Sequence, residues 1–579
     1  MRFLSPLALA LTPTLLAFAA EPAVRKGPTI EDGKLVYPEG ADIPRSLTPA
    51  EREYLKSHPL PSGPFTDRVG GVRPPGPIQC PGEYAPCQAI LMSWDGTTAQ
   101  NNILATMAKH ITTTGNADVY MVVDTAAEQT SVASSLTSAG ANMARVKFFV
   151  RTTDSIWIRD YGPRFIYIGT RNVPGQGAVR GIVDHVYNRP RPNDDAFPAW
   201  FGPSGFATKK FPVYDLGMTH GGGNFHLDSI GRSFATELIE NENTSLSPTD
   251  IINTWHDFQN VNTTILPPFP TSIDSTQHID MWMQIISDNR VIISDWPSNA
   301  GSTQDVICDN AATTLTSMGY TVFRTPARSL GGVHYTYANM VVCNNLVLLP
   351  TYTNSTMTNA GHNTQALNAV SQAFDFDNNG TPDKTIVQIP CDALASAAGV
   401  MHCIVMHVPA AAGAPGVNGQ GPSAHISVLN SAATLAPGQN FQLNWLTDDD
   451  KDIGTIDLSF SANGGVSFPL SIASNIADTG TRSWTVPNIP TAKGRIRITV
   501  RDLDGNVGTD ISDADFTISG TPCPWDLNLD RQVDDLDFVL FAGAYEELTS
   551  LLGDFNGDGS TDDSDFVLFA NAYDLFLCP

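Results

Sequence analysis

The chain runs to 579 residues, room for two to four domains at roughly 100–200 residues each. Apolar residues make up 42% and charged residues 16%, which supplies buried cores and excludes disorder as the general condition. The 33 Lys and Arg against 59 Asp and Glu give a net charge of −26, which excludes a general nucleic-acid binder and an attraction to anionic membranes. No internal run of about 18 apolar residues marks a spanning helix.

In chain order, residues 1–20 have the form of a secretory signal peptide. Arg2 supplies the positive start, an apolar run follows to Phe18, and Ala17-Phe18-Ala19 fits a small-residue cleavage site. The expected location is therefore secreted or extracytoplasmic, with cell-surface association open, where disulfides persist. Cys80 and Cys87 are close enough in sequence to pair, and Cys523 and Cys578 bracket the last segment; spacing leaves the connectivity open. Residues 21–76 carry Pro38, Pro44, Pro59, Pro61 and Pro64 without a long apolar period and read as an extension or propeptide.

From 77 to 410, short apolar strands (119–123, 146–150, 290–294, 341–349) alternate with helical stretches (98–111, 364–374), which predicts one large α/β domain. Residues 411–423 are a Pro/Gly/Ala linker. Segments 441–445, 455–460, 483–486 and 495–500 alternate at period two between turns, so 424–520 reads as an all-β sandwich of the Ig-like kind. The last 59 residues hold 13 acids and one base, so much of the acidity is local to them.

Within that last segment, Asp526, Asn528, Asp530, Asp534 and Asp537 recur 28 residues later as Asp554, Asn556, Asp558, Asp562 and Asp565. Oxygen side chains at loop positions 1, 3, 5, 9 and 12 suit a hard cation with six to eight oxygen ligands. Each copy runs on into Phe-Val-Leu-Phe and Ala-x-Ala-Tyr, a helix-like stripe. Position 12 is Asp rather than Glu, and Gly stands at position 6 only in the second copy. The loop-plus-helix repeat resembles type I dockerin repeats. That resemblance implies structural calcium, metal-dependent folding of residues 521–579, and a cohesin-like or cell-surface partner. A looser set, Asp375, Asp377, Asn379 and Asp383, lacks an acid at position 12 and reads as a polar turn.

Four clusters in the large domain carry chemistry: Trp157-Ile-Arg159-Asp160-Tyr161-Gly162-Pro163, Gly221-Gly222-Gly223-Asn224-Phe-His226-Leu-Asp228, His278-Ile-Asp280-Met-Trp282, and His402-Cys403. On a strand, His278 and Asp280 would share a face. Cys403 offers the only strong nucleophile at neutral pH, provided its surroundings favour the thiolate. Neighbouring carboxylates oppose that. They make sense if the substrate is a cation that neutralises Asp160 and Asp280 as it binds, and a planar guanidinium matches paired carboxylates.

These clusters, with Glu83-Tyr84 and Tyr337-x-Asn339, resemble the bacterial (Porphyromonas-type) peptidyl-arginine deiminases and their agmatine deiminase relatives over roughly 81–409. The resemblance implies a five-bladed α/β propeller of the pentein type that hydrolyses a guanidino group to a ureido group with release of ammonia. It needs no cofactor for catalysis. Cys403 would form a covalent thiouronium adduct, Asp160 and Asp280 would bind the guanidinium nitrogens, His278 would act as acid and then base, and Asn339 would support the nucleophile.

Arg189 and Arg191 lie in Tyr187-Asn188-Arg189-Pro190-Arg191-Pro192-Asn193-Asp194-Asp195, stiffened by its prolines. Read alone, they pair with Asp194 and Asp195 on a surface loop. The resemblance gives them instead the free carboxylate of a C-terminal arginine. Trp157 packs over the substrate's stem or guanidinium, or belongs to the core. His334, His362 and His407 receive no role. The segment before His278 (Asp274-Ser275-Thr276-Gln277) departs from the family in lacking an aromatic, which removes a backbone contact there. The leading expectation is a secreted protein-arginine deiminase that converts peptidyl-arginine, at C-terminal arginines, to citrulline and ammonia. The alternatives are an agmatine or small-guanidine deiminase, serving putrescine formation in the agmatine case, and a non-catalytic surface protein anchored by its C-terminal repeats.

Overall fold

The computed structural model describes residues 27–38, 41–60, 72–169, 178–207, 209–520, 523–529, 532–547 and 550–573. The signal-peptide reading falls outside these residues, as do Asp530 and Cys578.

Between Ile78 and Pro409 the strands fall into five separate sheets of three or four strands. Each sheet repeats one unit: an antiparallel pair, a helix, and a third strand parallel to the second. The first unit has Arg164–Ile168, Val179–Tyr187 and Val213–His220 around helix Phe197–Ser204. His226–Leu227, Arg232–Thr236 and Asn262–Leu266 follow around helix Pro248–Gln259. Met283–Ser287, Arg290–Asp295 and Thr321–Leu330 do the same around Thr303–Ser317. The fourth unit is Val341–Cys343, Leu346–Thr351 and Thr385–Pro390 around His362–Ala373. In the fifth, the late strand Met406–Pro409 pairs with Cys87–Ser93, which runs parallel to Asp118–Val123 across helix Thr98–Thr113.

A parallel pair needs a crossover, which accounts for the helix in each unit. The sequence starts these helices with explicit signals. Thr97 and Gln100 form a reciprocal cap, as do Ser247 and Asp250 with Pro248 at the first helical position. The strands between are buried almost throughout, so they carry near-continuous apolar runs such as Ala89 to Met92. The reading of 341–349 as one strand is corrected: Asn344 takes φ 50° and turns the chain into a two-residue hairpin, with Cys343 opposite Leu346.

Beyond Pro409, the expected linker holds a small hairpin, Pro415–Gly416 with Gly419–Gln420. Strands of residues 423–518 form two sheets, one of Ser423–Ile426, Asn440–Asp448 and Thr481–Thr485, the other built on Ile453–Ser461 and Thr491–Asp502. Leu443, Trp445 and Trp484 of the first share a core with Ile456, Phe460, Ile496 and Ile498 of the second. At the end of the chain, helices Asp535–Glu546 and Asp563–Tyr573 pack through Phe541 and Phe569, whose rings stack at 5.1 Å. In both copies the twelfth-position acid folds back on its own loop. Asp537 accepts from the N–H groups of Asn528 and Asp534, and Asp565 from those of Asn556 and Asp562.

Cys523 is in a disulfide, whereas Cys80 and Cys87 are not paired with each other. Each is a buried thiol donating to backbone, Cys80 to Phe165 and Cys87 to Ala89, so the pairing their spacing left open does not form. Among the described residues no helix is long and apolar enough to cross a membrane.

The extension is not a detached tail. Thr29–Glu31 and Lys34–Val36 form a hairpin, Thr48 and Glu51 cap helix Pro49–Leu55 reciprocally, and the stretch between them lies buried against the five-sheet domain.

Candidate active site

The residues singled out by sequence come together, and from equivalent places. Each unit is entered by a short turn immediately before its first strand. Asp160 sits in the turn Ile158–Tyr161, Asn224 in Gly222–Asn224, Asp280 in Ile279–Met281, Asn339 just before Val341, and Cys403 in His402–Ile404. All five are essentially inaccessible to solvent. His278 caps its helical turn, so the same-face strand argument for His278 and Asp280 is corrected. The two converge because the turn, not a strand, aims them inward.

What they converge on is Arg45, from the extension. Its guanidinium donates from Nε to Asp160 Oδ2 (2.8 Å) and from Nη2 to Asp160 Oδ1 (2.8 Å), a two-pronged pair. Nη1 and Nη2 also donate to Asp280 Oδ1 and Oδ2, at 3.0 and 3.1 Å. Nη1 lies 2.7 Å from Cys403 Sγ, and Nη2 lies 2.7 Å from His278 Nδ1. Asn339 Nδ2 donates to Asp280 O (3.0 Å) and to Cys403 Sγ (3.3 Å), while its Oδ1 accepts from His402 N (2.9 Å). The glycine run makes room. A Cβ on Gly223 would stand 1.9 Å from Arg45 Nη2 and 2.8 Å from an oxygen of each carboxylate.

Electrostatics follow from burying two carboxylates beside one cation. Burial alone would raise both acids, but Arg45, helped by His278, outweighs it and holds Asp160 well below the usual carboxylate range. Asp280 is lowered in the same way, by Arg45 and by a hydrogen bond from His402. Arg45 itself is pushed well above its ordinary value by Asp160 and Asp280 against the opposing effect of burial. Cys403 is raised well above a free thiol, first by burial and further by Asp280 and Asp160, with only Arg45 pulling strongly the other way. Cys403 is thus a buried thiol, and the Arg45 cation beside it is the main group favouring its thiolate.

A second layer holds the first. His402 Nδ1 faces Asp280 Oδ2 at 3.0 Å and its Nε2 faces Glu83 Oε2 at 2.6 Å. Glu83 in turn takes a 2.5 Å contact from Arg159 Nη1, and Arg159 with His402 holds Glu83 well below its ordinary value despite burial. Glu83, His226 and His402 have ligand atoms within 4.8 Å of one another, but Glu83 and His402 are already engaged with Arg159 and Asp280.

Arg189 and Arg191 line the approach to this pocket and are buried, so the surface-loop pairing with Asp194 and Asp195 is excluded. Asp194 accepts instead from Asp154 N and Ser155, and Asp195 from Tyr187 N. Arg189 Nε donates to the carbonyl of Arg45 at 3.1 Å. Arg191 Nε donates to Glu51 at 2.8 Å and its Nη2 to the carbonyl of Pro44 at 2.8 Å. Trp157 is fully buried, its indole N–H donating to the carbonyl of Ile43 at 2.8 Å. Its six-membered ring and Arg45 Cδ both lie within 3.3 Å of the point where a Gly399 Cβ would stand, so the ring flanks the stem. A cavity of about 330 Å³ runs between Ser46, Leu47, Arg189, Glu242 and Gln277. Burial pushes Glu242 up to about 8 there.

Sequence reasoning missed Arg45, Glu51 and the roles of Glu83, His402 and Gly223. The Thr48-Pro49-Ala50-Glu51 cap was a readable helix start inside the extension. Arg45 has no local signature at all. The metal residues expected at the C-terminus, apart from Asp530, lie in the two loops described above and have no contact with this site among the described residues. Asp375, Asp377 and Asp383 sit together in an exposed turn, where Asp375 accepts from the N–H groups of Asn379 and Gly380.

Five β-β-α-β units feeding carboxylates, a histidine and a cysteine onto a guanidinium define a hydrolase of guanidino C–N bonds, a pentein-type deiminase. The family model for Porphyromonas-type peptidyl-arginine deiminase matches residues 79–409, and the chain belongs to that family. Among solved structures, it is similar to a putative arginine deiminase from Porphyromonas gingivalis, at 19% identity over 57% of this chain and 98% of that one, TM-score 0.48. It is also similar to an agmatine deiminase of Enterococcus faecalis (19%, 60% and 98%, TM-score 0.46) and one of C. jejuni (16%, 57% and 96%, TM-score 0.45).

Proposed function

We propose that the protein deiminates arginine within peptides or proteins, converting the guanidino group to a ureido group and releasing ammonia. The observation that carries this reading is the peptide character of what fills the pocket. Besides the guanidinium, backbone groups of residues 43–46 are bound: the Arg45 N–H by Ala397 O at 2.9 Å, and the carbonyls of Ile43, Pro44 and Arg45 by Trp157, Arg191 and Arg189. Agmatine has neither carbonyl nor carboxylate, so it would leave these buried donors without partners, a cost a site built for it would not carry. In a C-terminal arginine the carbonyl read by Arg189 becomes one oxygen of the carboxylate, so the same donors serve both chain ends and interior positions.

In this reading Asp160 and Asp280 orient the guanidinium, whose charge lowers the cost of ionising Cys403. Cys403 Sγ attacks the guanidino carbon, His278 passes a proton to the departing ammonia, and the thiouronium adduct is hydrolysed by water that His278 then activates. Asn339 positions the sulfur. No cofactor enters. The five repeated units are read as the blades of a propeller, and residues 1–20 as an export signal.

The test compares an Arg-ended peptide, an internal-Arg peptide, free arginine and agmatine, using the Arg45→Ala variant under reducing conditions and following ureido product and ammonia. Both peptides should be converted faster than agmatine, and Cys403→Ala should abolish turnover. Activity confined to agmatine would remove the peptide assignment. For residues 521–579 we read a calcium-dependent, dockerin-like binding module, supported by the repeated ligand spacing and the paired helices. Helicity unaltered across a calcium titration, followed by circular dichroism, would count against it.

A further inference from the structure

We propose that Arg45 is a modification site: the enzyme deiminates this residue of its own N-terminal segment in cis, and the resulting ureido group releases the segment from the pocket. The inference rests on the deiminase reading above and goes beyond it by assigning the enzyme's first substrate and a consequence for access to the site.

Arg45 is held as a reactant rather than as an ordinary ion pair. All three guanidinium nitrogens are directed at the groups that would carry out the chemistry, with Cys403 Sγ and His278 Nδ1 each at 2.7 Å. The segment is seated by independent anchors on either side. Trp157 holds Ile43, Arg191 holds Pro44, and Glu51, in the first turn of helix Pro49–Leu55, is clasped by Arg191 in a fully buried pair. While it is there no other guanidinium can enter, because Arg45 is completely enclosed.

The reaction balances with water as the only co-reactant. The Cys403 sulfur forms a bond to Arg45 Cζ as its proton passes to His278. The Cζ–Nη2 bond breaks as His278 delivers a proton to that nitrogen, and ammonia leaves. Water then attacks Cζ and loses a proton to His278, which passes it to the released ammonia. The S–C bond breaks as the second water proton moves to the sulfur, so a guanidinium and water become a neutral ureido group and ammonium with the thiol restored. The new oxygen takes the place of Nη2, whose neighbours are Asp160 Oδ1 at 2.8 Å and Asp280 Oδ2 at 3.1 Å. An acceptor would then face two acceptors, and the charge that paired both carboxylates is gone. The product is repelled by the groups that held the substrate.

The experiment uses the full chain. Wild type, Cys403→Ser and Arg45→Ala are incubated under reducing conditions, and two quantities are followed: the mass of the peptide containing residue 45, and the rate on an added Arg-ended peptide. The proposal expects residue 45 of wild type to gain the mass of an NH replaced by oxygen, at a rate per molecule independent of protein concentration. It expects residue 45 of Cys403→Ser to stay arginine even when trace wild type is added. It also expects the wild-type rate to begin low and climb as residue 45 converts, with Arg45→Ala starting about tenfold or more faster, because apparent affinity falls with the fraction of open sites. Residue 45 staying arginine in wild type while Arg45→Ala converts the added peptide would overturn the proposal and leave the deiminase reading intact. Conversion of Cys403→Ser by wild type would overturn its cis character, and conversion without a rise in rate would overturn release. No conversion of either residue 45 or the added peptide by any variant would overturn both readings.

Discussion

At the scale of single residues, the site is limited by space as much as by charge. Gly223 donates its N–H to Asp160 Oδ1 at 3.1 Å, and its missing side chain is the floor on which the guanidinium lies. Arg45 Nη2 lies 1.9 Å from where a Gly223 Cβ would stand, and backing away would give up the two-pronged contact to Asp160. Gly223→Ala should therefore leave the fold intact while lowering kcat/KM on an arginine peptide by about 100-fold or more, the scale associated with displacing a reactant by an ångström. Unchanged kcat/KM in a variant with wild-type circular dichroism would show that the guanidinium binds elsewhere. The sequence displayed this glycine but not its reason, because the contact joins Gly223 to Arg45, far apart in the chain. Cys403, His278, Asp160, Asp280 and Asn339 were legible because each stands in a motif that resembles the family. Arg45 was not, since an arginine in a proline-rich stretch carries no mark of where it will be buried.

At the scale of elements, the five entry turns explain why residues spread from 160 to 403 meet. The same place in each repeated unit faces the same centre, so a short turn before the first strand, helical in four of the five units, delivers one group per unit. Periodicity revealed the strands and helices around these turns, but a three-residue turn has no period to read, which is why His278 and Asp280 were related only by the face they would share on a strand. The extension adds a sixth contributor, helix Pro49–Leu55, which docks through Glu51. That carboxylate would be raised by burial, yet Arg191 and the Thr48 cap hold it below its ordinary value. A depressed acid stabilises the docked state fully above its undocked pKa of about 4.3 and loses that contribution only as pH falls through the lower docked value. With Arg191, Tyr37 and Thr48 as the groups facing it, docking should be insensitive to Glu51 from about pH 5 to 8 and weaken in acid. Glu51→Gln leaves Arg191 buried without its partner, a loss of about 3–5 kcal/mol for such pairs. The expected readout is earlier protease cleavage within residues 41–60 and a higher initial rate on added peptide; identical cleavage in variant and wild type would mean the segment is held by other contacts.

At the scale of the whole molecule, the β domain that follows the catalytic one is joined to it through a buried ion pair. Arg180, on the strand Val179–Tyr187, donates from Nε and Nη2 to the two oxygens of Asp448 at 2.7 and 2.8 Å, and both residues are fully buried. The same guanidinium reaches Gln88, the carbonyl of Pro409 and the carbonyl of Asp449, so one side chain ties three stretches of chain together. Lys209 adds a contact to the carbonyl of Asp449 at 2.9 Å, and burial lowers it to about 7. The composition shift near residue 424 marked where one domain ends, but nothing local indicated that Asp448 and Arg180, 268 residues apart, form the joint. Because all five guanidinium donors serve this junction and none serves the catalytic pocket, Arg180→Ala separates joint from site. It leaves Asp448 buried and unpaired and should cost about 3–5 kcal/mol. If the two domains unfold as one unit in wild type, urea denaturation of the variant should split into two transitions, while the rate of Arg45→Ala/Arg180→Ala on an added arginine peptide stays within about twofold of Arg45→Ala, since additive behaviour is expected of distant sites. A single transition at the wild-type midpoint would show that the junction does not depend on this pair, and a collapse of activity would show that the sandwich domain helps to shape the pocket.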